Sequence, residues 1–353
     1  MTEFQRIVVV IDPTTATQPG LDRGTRLARQ LRAKLELFIC GYDSSLAESR
    51  ALDAGAVTKA RAALLDAHLR RLRELAAPLT AAGLDVTVAA SWDHPLHEGI
   101  VRKAAESGAD LVVKDTHYHS ILKRSVFSNT DWSLIRNCPS ALLLVKPRAA
   151  ATKPCIVAAI DPLHERDAAA SLDKRILATA AGLASALGGE LHAFHAFDIT
   201  PVIAASSEAM MMPIALPIDE ITDAMRVEHT TAVHALTDAV PIPRERVHIQ
   251  QGGARESLVG LTDRLRADVV VMGAVSRSGL ERLFIGSTAE DVLDKLPCDL
   301  LIVAGDVCPD RFGPFMAVHD PYQQQAWFDR TVRPWLAATP ATHNSLRSFE
   351  EIR

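Results

Sequence analysis

The chain contains two similar halves, and this duplication limits the folds that are open to it. The stretch Arg6-Ile-Val-Val-Val-Ile-Asp12 returns 149 residues later as Cys155-Ile-Val-Ala-Ala-Ile-Asp161. The stretch Ala109-Asp-Leu-Val-Val-Lys-Asp115 returns 158 residues later as Ala267-Asp-Val-Val-Val-Met-Gly273. This period is far longer than that of a solenoid repeat, so each copy should have its own hydrophobic core.

The length of 353 residues agrees with two domains. We expect a first domain at 1–147, a second at 154–306 and a C-terminal tail at 307–353. The offset grows from 149 to 158 residues within the second copy, which indicates an insertion there. Surface loops accept such insertions at little cost in free energy.

Short apolar runs alternate with longer amphipathic stretches in both copies. The runs lack an alternation of apolar and polar residues, which is typical of strands buried on both faces of a parallel sheet. They are 7–11, 35–40, 86–90, 111–114 and 142–145 in the first copy, and 156–160, 191–196, 247–250, 269–272 and 300–304 in the second. The pattern predicts an α/β fold: two tandem, five-stranded, Rossmann-like parallel-sheet domains with covering helices. We expect two sheets rather than one continuous sheet.

Composition excludes several classes of protein. The net charge of −5, with lysine and arginine dispersed, argues against a protein held to nucleic acid or to a membrane by electrostatics. No run approaches the roughly 20 apolar residues of a membrane span, and no signal peptide is visible. Five cysteines without paired spacing are typical of reduced thiols. We therefore expect a cytoplasmic protein with neither nucleic acid nor membrane as partner.

A glycine-rich segment follows the fourth strand of the second copy. It runs from Met272-Gly273 through Ser276 to Gly286-Ser287-Thr288, where a helix should begin. Backbone N–H groups at a helix N-terminus beyond a buried strand can form a cradle for an anion. The same glycines are also typical of tight turns and helix caps.

The spacing of this segment resembles a known nucleotide-binding motif. Gly273-x-x-Ser276, nine residues and then Gly286-Ser287 is similar to the Gly-x-x-Gly-(nine residues)-Gly-Ser/Thr motif of universal stress proteins. The strand ending in Asp161 and the stretch Pro297-Cys-Asp-Leu-Leu-Ile-Val303 also match that family. In the first copy, Thr130-Asp-Trp-Ser-Leu-Ile-Arg-Asn-Cys-Pro-Ser140 resembles the degenerate N-terminal half of tandem, E-type universal stress proteins.

The resemblance implies a stress-response binding and signalling protein with an ATP site, and magnesium with the ATP, in the second domain. It would place Asp161 against adenine and ribose. The phosphates would lie against a set of backbone and hydroxyl groups at Met272, Gly273, Ser276, Gly286, Ser287 and Thr288. Ser276 departs from the motif, because the ATP-binding members have glycine there. If that position needs a positive φ, serine costs about 1 kcal/mol.

The family also implies an intramolecular pseudo-dimer. The last strands of the two copies, 142–145 and 300–304, would associate across a local two-fold axis. Association of whole chains into a homo-oligomer is a possibility that the sequence leaves open.

The first copy lacks the glycine cradle. Asp115 stands where the second copy has Gly273, and Ser128-Asn129-Thr130 replaces Gly286-Ser287-Thr288. A carboxylate at that position would repel a phosphate. We therefore expect no nucleotide in the first domain.

The first copy instead contains four histidines after two of its strands. His94 and His97 follow the third strand, and His117 and His119 follow the fourth. Imidazoles meeting at one rim are ligands that suit a transition metal. Histidines that cap loops and hydrogen-bond across the rim explain the pattern more simply, and we assign no metal.

Two other functions stay open. One is a slow ATP-hydrolysing or autophosphorylating enzyme, at most a weak ATPase, that uses the segment 273–287; no nucleophile–base motif supports it, and we assign no catalytic residue. The other is a carrier of an apolar ligand that uses the loop Met210-Met211-Met212, since methionines adapt to varied apolar shapes.

Overall fold

The computed structural model describes residues 4–47, 53–116, 128–163, 167–200, 218–274 and 295–304. The strands of the first repeat are β1 (Arg6–Val10), β2 (Lys34–Gly41), β3 (Val86–Trp92), β4 (Leu111–Asp115) and β5 (Ala141–Val145). Those of the second are β6 (Cys155–Ala159), β7 (Glu190–Phe197), β8 (Val247–Gln251), β9 (Val269–Ala274) and β10 (Asp299–Ala304).

Helices connect the strands within each repeat. In the first repeat they are α1 (Pro19–Leu31), the single turn α2 (Ser44–Ala47), α3 (Ala54–Ala81), α4 (Leu96–Ser107) and α5 (Asn129–Asn137). In the second they are α6 (Asp167–Leu187), α7 (Ile218–Thr237) and α8 (Ala254–Leu265). Gly188, with φ 61°, ends α6 in the left-handed conformation that glycine adopts without steric cost.

The described strands form a single sheet of ten, in the order β3-β2-β1-β4-β5-β10-β9-β6-β7-β8. Each repeat contributes five mutually parallel strands in the same internal order, as the duplicated sequence predicts. The expectation of two sheets is wrong. In each repeat taken alone, the last strand would be an edge with unpaired N–H and C=O groups. In the whole chain these two edge strands pair with each other.

The pairing of β5 with β10 is antiparallel and apolar. Leu143 lies opposite Leu301, in the middle of three such pairs. These are the two strands that were expected to associate. Because the sheet continues across this pairing, the residues Met1–Asp306 form one compact unit.

A buried ion pair lies beside this central pairing. Arg23 Nε in α1 is 2.9 Å from Asp299 Oδ2 at the start of β10, and the Lys146 backbone N–H donates to Asp299 Oδ1 at 2.9 Å. Burial raises the pKa of Asp299, although Arg23 and the Lys146 N–H act in the opposite direction. The pair therefore connects the two repeats at a cost in desolvation.

The core has two layers, one on each face of the sheet. One layer packs under α1, α3, α6 and α7, and the other under α4, α5 and α8. The buried strand residues alternate between the layers, as a sheet covered on both faces requires.

Candidate functional site

The strand order reverses at one point within each repeat, between β1 and β4 and between β6 and β9. Crevices that bind ligands in open α/β sheets lie at such points, beyond the carboxyl ends of the strands. In the first repeat Asp12 follows β1 and Asp115 ends β4. In the second, Asp161 follows β6 and Gly273 lies near the end of β9. The topology thus brings Asp161 and Gly273 to the switch point of the second repeat, and Asp12 and Asp115 to that of the first.

In the first repeat Asp115 occupies the N-terminus of α1. Its side chain is buried, and Oδ1 accepts the backbone N–H of Gly20 at 2.5 Å. The close approach requires glycine at position 20, because a Cβ there would stand 2.9 Å from that same oxygen. A carboxylate at a helix N-terminus takes the place that an external anion would take.

A second internal carboxylate occupies the N-terminus of α5. Asp131, fully buried, accepts from the backbone N–H of Ser128 at 2.8 Å, and the Ser128 hydroxyl accepts from the Asp131 N–H in return. Lys114 Nζ lies 2.7 Å from Asp131 Oδ1 and neutralises it. The helix that the sequence predicts after the glycine segment of the second repeat would correspond to α5. The first repeat therefore has acidic side chains of its own where the motif would hold phosphate.

The second repeat reverses the residue sizes at the same positions. A Cβ added to Gly273 would stand 2.5 Å from Leu172 Cδ2 and 3.1 Å from Ile176 Cδ1, both in α6. Aligning the ends of the two helices places Ile176 where the first repeat has Gly20. In the first repeat, Asp115 on the strand faces Gly20 on the helix. In the second, Gly273 on the strand faces Ile176 on the helix, so the larger residue has moved from the strand to the helix.

Met272 replaces Lys114 on the other face of the sheet. It is half-buried and packs against the core layer under α8. At Met272 and Gly273 the second repeat thus has neither the lysine nor the aspartate of the first. The end of β9 is therefore apolar and uncharged at these two positions.

Asp161 presents an exposed carboxyl group at the end of β6. Its side chain is 63% exposed, and its backbone N–H donates to Asp173 Oδ1 in α6 at 3.1 Å. This bond holds the turn that follows β6 against the second turn of α6. The predicted ribose contact is thus an accessible side chain on a fixed backbone.

Sequence reasoning missed a pair of histidines next to Asp161. His195 of β7 is buried, and its Nε2 lies 2.7 Å from His229 Nδ1 in α7. Its other nitrogen, Nδ1, lies 3.0 Å from the Ile160 carbonyl oxygen and 3.9 Å from Asp161 Oδ1. The signal was a histidine among the apolar residues of the second half of β7, Ala193 to Phe197, because a buried imidazole needs hydrogen-bond partners.

Several predicted site residues lie outside the described residues. They are Ser276, Gly286, Ser287, Thr288, His117, His119, the loop Met210–Met212 and the tail 307–353. Their predicted roles stay predictions.

Two histidines of the predicted cluster are described. His94 is exposed and stacks on Tyr42 with ring centroids 4.1 Å apart, and His97 lies half-buried in the first turn of α4, where burial lowers its pKa. Within the described ranges no three His, Cys, Asp or Glu side chains lie close enough together to hold a metal ion. His94 thus contributes to an aromatic contact.

Among the described residues no helix is long and apolar enough to cross a membrane.

Sequence comparison identifies the duplicated unit. The model of the Universal stress protein family matches residues 3–146 and 156–304, one match for each repeat. Universal stress protein E of Escherichia coli (strain K12) is 30% identical over 307 residues, which cover 87% of this chain and 96% of that protein. A Universal stress protein E homolog of Haemophilus influenzae is 24% identical over 85% of this chain and 97% of its own length.

Structure comparison agrees on the fold. A protein of unknown function from Pseudomonas aeruginosa PAO1 superposes with a TM-score of 0.69 at 24% identity, covering 89% of this chain and 96% of that one. A universal stress protein from Archaeoglobus fulgidus superposes with a TM-score of 0.58 at 14% identity, covering 86% and 99%. At these identities the likeness supports the fold alone.

Proposed function

This chain belongs to the universal stress protein family, with two copies of the family's domain in tandem, and we propose that it acts in the stress response by binding ATP in its second repeat only. It is a binding and signalling protein in which the first repeat supports the second.

The observation that carries the proposal is the difference between the two switch points. In the first repeat Asp115 and Asp131 place carboxylates at the N-termini of α1 and α5. Both carboxylates already accept backbone N–H groups that a phosphate would need, and Asp115 would also repel a phosphate. In the second repeat Met272 and Gly273 bring no charge to the end of β9, so the same repulsion is absent.

The second repeat also supplies groups that suit an adenine nucleotide. Asp161 is exposed, and its carboxylate can accept hydrogen bonds from ribose hydroxyls. The segment from Gly273 to Thr288 contains the glycines and hydroxyl residues of the family motif except at Ser276, and it would donate backbone N–H groups to the phosphates. Magnesium would neutralise part of the phosphate charge.

Calorimetric titration with ATP, with and without Mg²⁺, tests the proposal. We expect one ATP bound per chain, binding that weakens in Asp161→Ala, and unchanged binding in the matched first-repeat variant Asp12→Ala. If Ser276 needs a positive φ, the variant Ser276→Gly should bind about fivefold more tightly, because removing about 1 kcal/mol of strain corresponds to that factor.

Two results would contradict the proposal. Absence of binding in both the parent and Ser276→Gly would mean that the second repeat has lost the site. Two ATP per chain, with equal losses in Asp12→Ala and Asp161→Ala, would mean that the internal carboxylates do not exclude phosphate.

A further inference from the structure

The hydrogen bond between His195 and His229 links three elements of the second repeat. His195 lies on β7, His229 on α7, and the Ile160 carbonyl that His195 contacts follows β6. Ile160 directly precedes Asp161, the residue that we assign to the nucleotide. The histidine pair therefore connects α7 to the backbone that presents Asp161.

The partners of His195 determine where the protons lie. A carbonyl oxygen only accepts, so His195 Nδ1 carries a proton and donates to Ile160. In the neutral ring Nε2 then has the lone pair and accepts from the Nδ1–H of His229. A proton added to His195 Nε2 faces that N–H, so the contact survives only if His229 gives up its Nδ1 proton. When both rings are fully protonated, two cations stand 2.7 Å apart and the bond is lost.

The surroundings of the pair favour the neutral form. His195 is 1% exposed, and Phe197 stacks on the His229 ring with centroids 4.9 Å apart. Among the described residues, the charged or titratable groups that act on His195 are Asp161 after β6 and His229 on α7. Burial lowers the pKa of His195; the Ile160 carbonyl and Asp161 raise it by less, and His229 lowers it further.

The first repeat lacks this pair. Strand register places Ile39 at the position of His195 and Gly41 at the position of Phe197. His68 of α3 lies against Gly41, where a Cβ would stand 2.8 Å from its Nε2. His68 thus packs on its strand without a histidine partner on β2, which makes the first repeat an internal control.

We propose that His195 is a positioning residue that makes ligand binding in the second repeat depend on proton concentration. The pair holds α7 and the Ile160–Asp161 backbone in the binding arrangement as long as one of the two facing nitrogens can accept, and protonation of both rings in acid releases it. For its ligand, the inference rests on the proposed function; for the release of α7, it stands on the histidine geometry alone.

The sign follows from the lowered pKa. A histidine with a folded-state pKa below its ordinary value of about 6.5 stabilises the folded arrangement above that pH. This contribution is lost as the pH falls from about 6.5 toward the folded-state value. Affinity should therefore be full at neutral pH and decline in acid.

The first measurement is the affinity for ATP between pH 8 and pH 5.5. In the parent we expect the affinity to fall about tenfold more than in His195→Ile, which carries the first repeat's residue; tenfold corresponds to one pKa unit of linkage. ATP itself titrates in this range, but its contribution is the same for both proteins and cancels in the comparison. In His229→Gln the amide nitrogen can donate to neutral His195 and the amide oxygen can accept from protonated His195, so the contact survives in both states and the profile should also flatten. His68→Gln should leave the profile unchanged.

The second measurement needs no ligand. Hydrogen exchange of α7 and of residues 156–163 should accelerate in the parent between pH 7 and pH 5.5, after correction for intrinsic rates, and not in His229→Gln. If ATP binds at no pH, the proposed function fails and the exchange result alone decides this inference. Equal pH dependence of exchange in the parent, His195→Ile and His229→Gln would overturn it.

Discussion

At the ends of β4 and β9 the space between strand and helix is filled from the strand in the first repeat and from the helix in the second. Gly20 leaves room in α1 for the Asp115 side chain, whereas Ile176 and Leu172 of α6 fill the corresponding room and face Gly273. Sequence comparison showed that Asp115 replaces Gly273, and it predicted the repulsion of phosphate. It did not show that Gly273 also serves packing against a helix, because that contact joins residues about 100 positions apart.

Gly273→Ala should destabilise the protein even without ligand. The added Cβ would overlap Leu172 Cδ2 and Cγ, 2.5 and 2.8 Å away. Overpacking of a filled core typically costs about 1–3 kcal/mol. Urea unfolding of the two proteins measures the difference.

A double-variant cycle provides the control. Leu172→Ala removes the atoms that overlap, so Gly273→Ala should cost less in that background than in the parent. An equal cost in both backgrounds would mean that the overlap is not the cause.

At the scale of elements, the N-termini of α1 and α5 are both occupied by carboxylates of the first repeat itself. At α5 the stability of the arrangement depends on an ion pair between Lys114 and Asp131, because Asp131 is fully buried and Lys114 is only 14% exposed. A buried carboxylate that loses its cation leaves an uncompensated charge.

Lys114→Met, which introduces the residue of the second repeat, should therefore lower the free energy of unfolding by about 3 kcal/mol. Lys34→Met is the matched control: its partner Asp85 is 3.9 Å away and both side chains are largely exposed. That change should cost less than about 1 kcal/mol. Thermal and chemical unfolding of both variants decides the matter, and similar costs would show that burial of Asp131 is unimportant.

The positions of the ten described strands along the chain were predictable from the sequence. Buried parallel strands are continuous apolar runs, and each observed strand overlaps a predicted run, as Leu35–Cys40 overlaps β2. The end of α6 was predictable as well, since glycine is typical of the position just past a helix, and Gly188 there adopts the left-handed conformation. The histidine pair and the contact of Asp115 with α1 were not, because they depend on contacts between elements. The Ser128–Asp131 capping box of α5 is a local pattern that the sequence analysis did not use.

At the scale of the whole molecule, the central pairing of β5 with β10 decides how the repeats combine. The sequence indicated which strands associate, but the consequence for the sheet was missed. Arg23 and Asp299 add a buried ion pair to this junction. Such pairs often contribute more to the choice of partner than to stability, since desolvation offsets their attraction.

The ion pair should show strong coupling between its two members. Arg23→Met or Asp299→Asn alone leaves one buried charge without its partner and should cost about 3–5 kcal/mol. Asparagine can still accept from the Lys146 N–H, so the double variant should cost less than the sum of the single ones by at least about 1 kcal/mol. Urea unfolding of the four proteins measures the coupling; strict additivity would show that the two charges do not depend on each other.

The antiparallel seam at Leu143 and Leu301 also limits how copies of the protein can meet. Within the described sheet both β5 and β10 have a neighbour on each side, so neither offers a free edge to a second chain. The open margins of that sheet are β3 and β8, at its two far ends. Contact between copies through sheet extension would therefore have to build outward from those margins, and the joint between the halves should withstand dilution because both sides belong to one polypeptide.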